Sequence, residues 1–417
     1  MALSPRFGVT VLLLMLCFVL SHADRHVMGL LLAPIQRDLA LSDTQLGLLQ
    51  GAAFTLFYAV AGLPIARLLD NGNRVRIASA CVLAWSLATM LCGLAGGFLS
   101  LAVMRALTAT GEAGLPPAAF SLFRELGDRR RMVQANGFFM LAPFIGGGFA
   151  LIAGGQLLRL LEGVVLPGWD QPWRLVFLLF GLPGIIMAPL LLLLIPETRQ
   201  RHMANAGSAE PAQPRIASLF APGSPLRFHY PGIACFTLFM NALLSWYPLH
   251  LVRDQGATVA QAGTMAGTTY LLAGIAGTLL ATWIAPKRAA KGVRGLLDML
   301  CIACLLALPV AVAMTITPQI GLSTALYGLY SLLSGLFAAL MIAPIQWLAP
   351  PGLQARAVAL LYLVAAISGS AGTIAIGLLT DHAGLTLGGA LSLLAAAALG
   401  AAGILLLMAR QRASAQA

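Results

Sequence analysis

Polar positions are sparse along this chain, and they gather in short breaks between long apolar runs. A helix needs roughly 20 mostly apolar residues to cross a bilayer core of about 30 Å. That window predicts twelve spans: 7–34, 44–68, 76–95, 98–123, 132–158, 172–196, 229–253, 258–284, 294–315, 319–345, 356–380 and 384–409. The breaks carry turn chemistry, as at Asp70-Asn71-Gly72-Asn73, Gly127-Asp128 and Pro167-Gly168. The longest polar stretch, 197–228, holds four prolines and Asn205-Ala206-Gly207-Ser208, and reads as a mobile cytoplasmic linker. The expected architecture is an all-α membrane protein with six spans in 1–196 and six in 229–417, the two-bundle layout of one large transporter class.

Composition agrees. The chain is 59% hydrophobic and 9% charged, against about a quarter charged in a soluble domain. A net charge of +11 raises the question of nucleic acid, and the distribution of that charge answers it. With the N-terminus inside, 19 of the 25 Lys and Arg fall in alternate loops on the cytoplasmic side, and only Arg37, Arg159, Arg174 and Arg253 fall outside. That asymmetry is the orientation signal of a membrane protein. It places both termini in the cytoplasm and leaves no need for a nucleic-acid partner. The start of the chain resembles a cleavable leader ending at Ser21-His22-Ala23. Retention is expected, because the apolar run resumes after Arg25 and continues to Pro34. All six cysteines fall in apolar runs. The Cys301/Cys304 pair has no second ligand pair, so no metal or other cofactor is expected. No P-loop, HExxH or nucleophile-elbow motif is present, which argues against an enzyme or an ATP-driven pump.

Charge inside the spans is the informative exception. Asp24-Arg25 lies in span 1 and Arg105 with Glu112 in span 4. Each charge costs several kcal/mol at bilayer depth, roughly 2.5–3.5 on insertion scales, so such residues face partners or a wet cavity. Arg105 and Glu112 are seven apart, on one helix face two turns apart, with Arg105 the expected positive charge near Glu112. Arg25 points about 100° from Asp24, toward a different neighbour. Two readings stand: a structural ion network that never titrates, or a proton-coupling site. Two acids and two bases at this depth exceed what packing needs, which favours coupling through Asp24, Glu112, Arg25 and Arg105. His22 and His26 read as packed flanking residues.

Three further features carry expectations. The loop after span 2 reads as a gate latch in which Asp70, Arg74 and Arg131 pair across the inner side, as an alternative to a simple polar turn. Gln50, Phe54 and Tyr58 follow one helix face of span 2. With Asn241, Trp246, Tyr247, Tyr270 and Tyr330 they are candidates to line a substrate cavity, polar head near Arg25 and Arg105. A shift of 225 residues matches Gly147 with Gly372 and sets Tyr330 opposite Arg105 and Phe337 opposite Glu112. The halves are therefore chemically unequal.

Several runs together resemble the Spinster-like branch of the major facilitator superfamily. They are Asp24-Arg25; Leu41-Ser42-Asp43-Thr44-Gln45-Leu46-Gly47; Phe54-x3-Tyr58; Pro64-Ile65-Ala66-Arg67-x2-Asp70-x-Gly72-Asn73-Arg74; Arg105 with Gly111-Glu112-Ala113-Gly114 and Pro117; and Trp173-Arg174-x2-Phe177. The match is specific over about 20–200 and looser afterwards. The resemblance implies a proton-coupled carrier that rocks two bundles, with the span-1 and span-4 acids, here Asp24 and Glu112, in coupling. It also implies a monomer and, through the animal relatives, lysolipid- or sphingolipid-like solutes. The chain departs at Ala66, Asn71, Leu107 and Ala109. The second-half loop Ala285-Pro286-Lys287-Arg288 lacks the acid of its first-half counterpart.

The expectation is thus a proton-driven transporter of an amphipathic, lipid-like solute in a bacterial inner membrane, in contact with membrane lipids. A symporter of small organic anions such as sugar acids is the alternative within the superfamily. A non-transporting receptor or channel is the alternative outside it.

Overall fold

The computed structural model describes residues 5–126, 135, 138–164, 171–196, 216–350 and 353–414. Every regular element among them is helical. Helix α1 covers Pro5–Leu39, and α2 (Asp43–Gln50) begins with a capping box in which Ser42 and Gln45 satisfy each other's backbone amides. Then come α3 (Ala52–Asn71), α4 (Arg74–Cys92), α5 (Phe98–Glu112), α6 (Leu115–Leu126), α7 (Ala142–Leu160) and α8 (Pro172–Leu194). A 3₁₀ turn at Ile216–Phe220 precedes α9 (Leu226–Arg253), α10 (Val259–Ala289), α11 (Val293–Ile316) and α12 (Ile320–Leu340). Helices α13 (Ala343–Leu348), α14 (Gln354–Ala383) and α15 (Leu387–Ser414) complete the chain.

Three spans are broken rather than continuous. Span 2 breaks at Gly51, between α2 and α3. Span 4 breaks at Ala113-Gly114, because the rings of Pro116 and Pro117 clash with the carbonyls four residues earlier and supply no N–H. Span 10 breaks at Met341-Ile342, just before Pro344. Eleven stretches of the described residues are long and apolar enough to cross a membrane. The fourth predicted span is not among them only because its pieces, α5 and α6, have 15 and 12 residues; together they make the twelfth.

The chain divides into two compact units, Met1–His202 with Ala257–Thr268, and Met203–Gly256 with Thr269–Ala417. In the first, α1 packs on α7 and α8, α4 on α8 and α5, and α3 on α5. Gly146 lets α7 approach the Val19 carbonyl and His22 of α1 so closely that a Cβ has no room. The core is aromatic: Phe18 stacks on Phe139 at 4.1 Å, with Phe123 edge-on to Phe139 at 5.7 Å. In the second unit α9 packs on α14 and α15, and α11 on α12 and α15.

The structure bears on two of the expected boundaries. The segment Ala257–Thr268 groups with the first unit although it follows 229. There Gln156 donates to Thr264 at 2.9 Å, and Gly155 meets Ala260 with no side chain between them. Of the expected linker 197–228, the structure describes residues from 216 onward. Residues 197–215 lie outside the described set, but Leu219 and Leu226 are buried, and burial of those two apolar side chains orders the chain from Ile216 onward.

Candidate functional site

The site belongs to the first unit and is built from the middle of α1, the α2–α3 break and the end of α5. Glu112 is the last residue of α5. Its position follows from Gly111, where a Cβ would lie 2.7 Å from the Trp85 backbone nitrogen. Only glycine lets α5 press against α4 at that level, and this carries the Glu112 carboxylate against α1. There Arg25 Nε donates to Glu112 Oε2 at 2.6 Å, and Ser21 Oγ donates to the same oxygen at 2.6 Å. Ser21 and Arg25 are four residues apart, on one face of α1.

Asp24 faces away from this pair. Thr89 Oγ1 of α4 donates to its Oδ2 at 3.2 Å. Arg105 does not reach the Asp24 carboxylate; its guanidinium donates to the Asp24 backbone carbonyl at 3.3 Å. Asp24, Arg105 and Glu112 are 1%, 3% and 0% exposed. The expectation that Arg105 lies beside Glu112 is corrected on this point. The ion-pair partner of Glu112 is Arg25, because α1 crosses α5 at the level of Ser21 and Arg25 while Arg105 lies two turns further along.

Phe54 sits under both cations. Arg25 Cζ is 4.6 Å and Arg105 Cζ 5.1 Å from its ring centroid, and Arg25 also lies 4.9 Å from Tyr58. Such cation–π contacts contribute about 0.5–2 kcal/mol each and hold the guanidinium planes in place. Gln50, at the Gly51 break, is half-buried beside this group in sequence.

The hydrogen bonding of the cluster is incomplete. Asp24 Oδ1, Glu112 Oε1, Arg25 Nη2, Arg105 Nε and Gln50 Nε2 are buried without partners. A buried polar atom left unmade costs about 1–3 kcal/mol, more when charged. Among protein atoms the cluster keeps two guanidinium donors and two carboxylate acceptors spare, and Gln50 Nε2, close by in sequence, is a third spare donor. That inventory suits a site that exchanges partners.

The other expected positions fall out as follows. Arg74 pairs with Glu125 of α6, within the first unit. The side chain of Asp70 and all of Arg131 lie outside the described residues. In the second unit, Trp246 is fully buried and its indole donates to the Thr373 carbonyl at 3.0 Å. Tyr247 is equally buried, bonded to Ser323 at 2.9 Å and stacked on Tyr327 at 4.1 Å. These two hold the second unit together, which corrects their assignment as cavity lining. Asn241 donates to the Thr237 carbonyl at 3.0 Å. Tyr270 is half-buried, and Tyr330 is buried with its hydroxyl unpartnered. Sequence reasoning missed Ser21 and Thr89, whose hydroxyls serve the two acids. It also missed Glu125, Asp38 and Asp254. Asp38 accepts from Trp173 at 3.1 Å and from Arg174 at 2.9 Å. The signal for Ser21 was its i, i+4 spacing to Arg25.

The sequence profile of the Major Facilitator Superfamily matches residues 14–373. The chain belongs to this superfamily. Among curated relatives, an MFS-type efflux pump of Mycolicibacterium smegmatis is 29% identical over 400 residues, covering 94% of this chain and 87% of that protein. A D-galactonate transporter of Escherichia coli is 26% identical and covers 68% of each. Among solved structures, a bacterial homologue of the human lysosomal transporter Spinster, inward-facing and unoccupied, superposes with a TM-score of 0.80. It is 24% identical and covers 99% of this chain and 96% of that one. The fold is thus that of the Spinster-type major facilitators, and the protein is a multi-pass membrane transporter of a small molecule, not an enzyme.

Proposed function

We propose that this superfamily member is a proton-coupled transporter of an amphipathic solute with an anionic head group, lysolipid-like in character. The observation that carries the reading is the Arg25–Glu112 pair with its orphaned atoms. A proton on Glu112 dissolves the ion pair and frees the Arg25 guanidinium. Arg25, Arg105 and Gln50 then form a donor array suited to a phosphate or carboxylate, and Phe54 supplies an apolar wall. Proton and anion therefore favour each other's binding, by linkage at one guanidinium. Release of the proton restores the pair and expels the anion. Asp24, with Thr89 as its one hydrogen-bond partner in the site, is the second titrating group. Alternating access between two bundles moves the bound solute. The charge asymmetry of the loops supports a reading with both termini in the cytoplasm of a bacterial inner membrane, and the carrier acts as a monomer without a cofactor beyond the proton gradient.

The lipid-like class is favoured over small polar acids by the second unit, where the hydroxyl groups of Tyr247, Ser323 and Thr237 are already used internally. The sugar-acid reading keeps one specific support, the D-galactonate transporter among the relatives. Reconstituted protein with an imposed pH gradient tests both. Accumulation of lysophosphatidylglycerol that collapses in Glu112→Gln supports the proposal. Gradient-driven uptake of D-galactonate with no response to lysolipid replaces the solute class and keeps the coupling. Saturable flux of either solute that ignores the gradient removes the coupling. Arg105→Gln is expected to weaken solute binding about tenfold or more, the loss of a charge-assisted contact.

A further inference from the structure

The turn joining α10 to α11 carries charge that no ion pair among the described residues balances. Lys287, Arg288, Lys291 and Arg294 lie within eight residues. None has an ion pair among the described residues, and the following acid, Asp298, is engaged by Arg410. Lys287, Lys291 and Arg294 are exposed. The equivalent turn of the first half, after α3, contains Asp70, and its Arg74 is paired with Glu125. The second-half turn has neither device.

An exposed apolar stripe runs into this basic turn. Leu272, Leu279, Leu280 and Trp283 are exposed, Trp283 by 66%. Their spacing of seven, eight and eleven residues keeps them on one helix face. Lys287 continues that face one turn further, with Nζ 4.4 Å from the Trp283 ring centroid. In the most apolar window of α10 only 17% of residues are buried. The rise from 272 to 283 is about 16 Å, close to the hydrocarbon depth of one leaflet. Apolar stripe, aromatic ring and cations follow one another in the order in which a phospholipid presents acyl chain, glycerol region and phosphate.

We propose that the end of α10 and the turn after it form a binding site for an anionic phospholipid. The acyl chains lie along the stripe from 272 to 283, and Lys287, Lys291 and Arg294 hold the head group. The net charge of the turn selects an anionic head over a zwitterionic one, since phosphatidylcholine brings its own cation. The site is separate from the Arg25–Glu112 cluster and does not rest on the solute assignment.

Trp283 is its own reporter. Purified protein in detergent is titrated with phosphatidylglycerol or phosphatidylcholine carrying brominated chains, and the quenching lost in Trp283→Phe is taken as the signal. The expected result is saturation by phosphatidylglycerol at a concentration at least tenfold lower than by phosphatidylcholine. Each basic residue near the surface contributes roughly a fivefold factor. The triple variant Lys287→Gln, Lys291→Gln, Arg294→Gln is therefore expected to raise half-saturation about tenfold or more, while Lys287→Arg with Lys291→Arg retains the preference. Equal half-saturation for the two lipids, or an unchanged triple variant, would overturn the proposal. So would reversal of the quenching by inorganic phosphate, which would make this a site for a free anion.

Discussion

The fourth and tenth spans are built alike and used differently. Each is a long helix broken ahead of proline, α5–α6 near its middle at Ala113-Gly114 and α12–α13 near its end at Met341-Ile342. In the first, the positions related by the 225-residue shift are Arg105 and Glu112, buried among orphaned donors and acceptors. In the second they are Tyr330 and Phe337. Phe337 stacks on Phe236 at 3.6 Å, and Tyr330 lies edge-on to Phe239 at 5.6 Å. Duplicated architecture does not duplicate chemistry. A break in an apolar span costs little when aromatic packing covers it, and it becomes a site only where charge is left incompletely paired beside it.

Four variants test this contrast. The largest effect is expected for Arg25→Gln, which strands Glu112. Glu112 is fully buried and Arg25 a quarter exposed, so the loss approaches that of a broken buried pair, about 3–5 kcal/mol, read as thermal unfolding in detergent. Because the cost is that of a stranded charge, Arg25→Gln with Glu112→Gln should recover most of it; a double variant as unstable as the single one would show that the pair is not the source. Phe337→Ala is expected to cost about 3–5 kcal/mol as well, at the lower end, by leaving a cavity. Unlike the first-unit variants it should leave the pH profile of transport unchanged. A shifted profile would mean that the second unit takes part in coupling.

The smaller effects lie near the ends of the helices. Arg74→Gln removes the tie to Glu125 of α6, a partly exposed pair expected to contribute about 1 kcal/mol. A double-mutant cycle with Glu125→Gln measures it. The smallest concerns Asp254, which accepts from His250 at 2.9 Å and from the Gly388 amide at 2.6 Å, tying α9 to the start of α15. Burial pushes the Asp254 carboxyl up, but these hydrogen bonds and the charge of Arg253 outweigh it and hold the group below the usual carboxylate range. A depressed folded-state value means that the stabilisation is present above the unfolded value, near 3.9, and is lost as pH falls through the folded one. Unfolding of the wild type followed into acid should show that loss, and Asp254→Asn should lack that part of the acid limb. Identical acid limbs would remove Asp254 from the account.

Much of the fold was legible because a bilayer allows few solutions: an apolar run of sufficient length must be a helix, and basic loops order the ends. The breaks were partly legible. Pro116-Pro117 announces one, whereas Gly51 looks like any glycine in an apolar run. The four intramembrane charges were legible as a site because the other ionisable residues of the spans, such as Arg174 and Asp298, lie near span ends. Their pairing was not. Sequence spacing puts Arg105 and Glu112 on one face of one helix, but Arg25 is brought to Glu112 by the crossing of α1 and α5, which depends on Gly111 and Gly146 fitting against neighbours far away in sequence. Trp246 and Tyr247 show the converse: an aromatic in a span gives no sign of whether its polar atom is spent on a carbonyl inside the unit.

The proposed coupling requires the carboxylate held by Arg25 and Ser21 to take up and release a proton over the pH range that a proton gradient spans. Infrared difference spectroscopy of the reconstituted protein, with pH stepped across that range, reads it without knowledge of the solute. The account predicts a protonated-carboxyl band in the wild type that is lost in Glu112→Gln and kept in the control Glu125→Gln. A wild-type band that survives unchanged in Glu112→Gln, or no band at all, would contradict it and leave the Arg25–Glu112 pair as a fixed strut between α1 and α5.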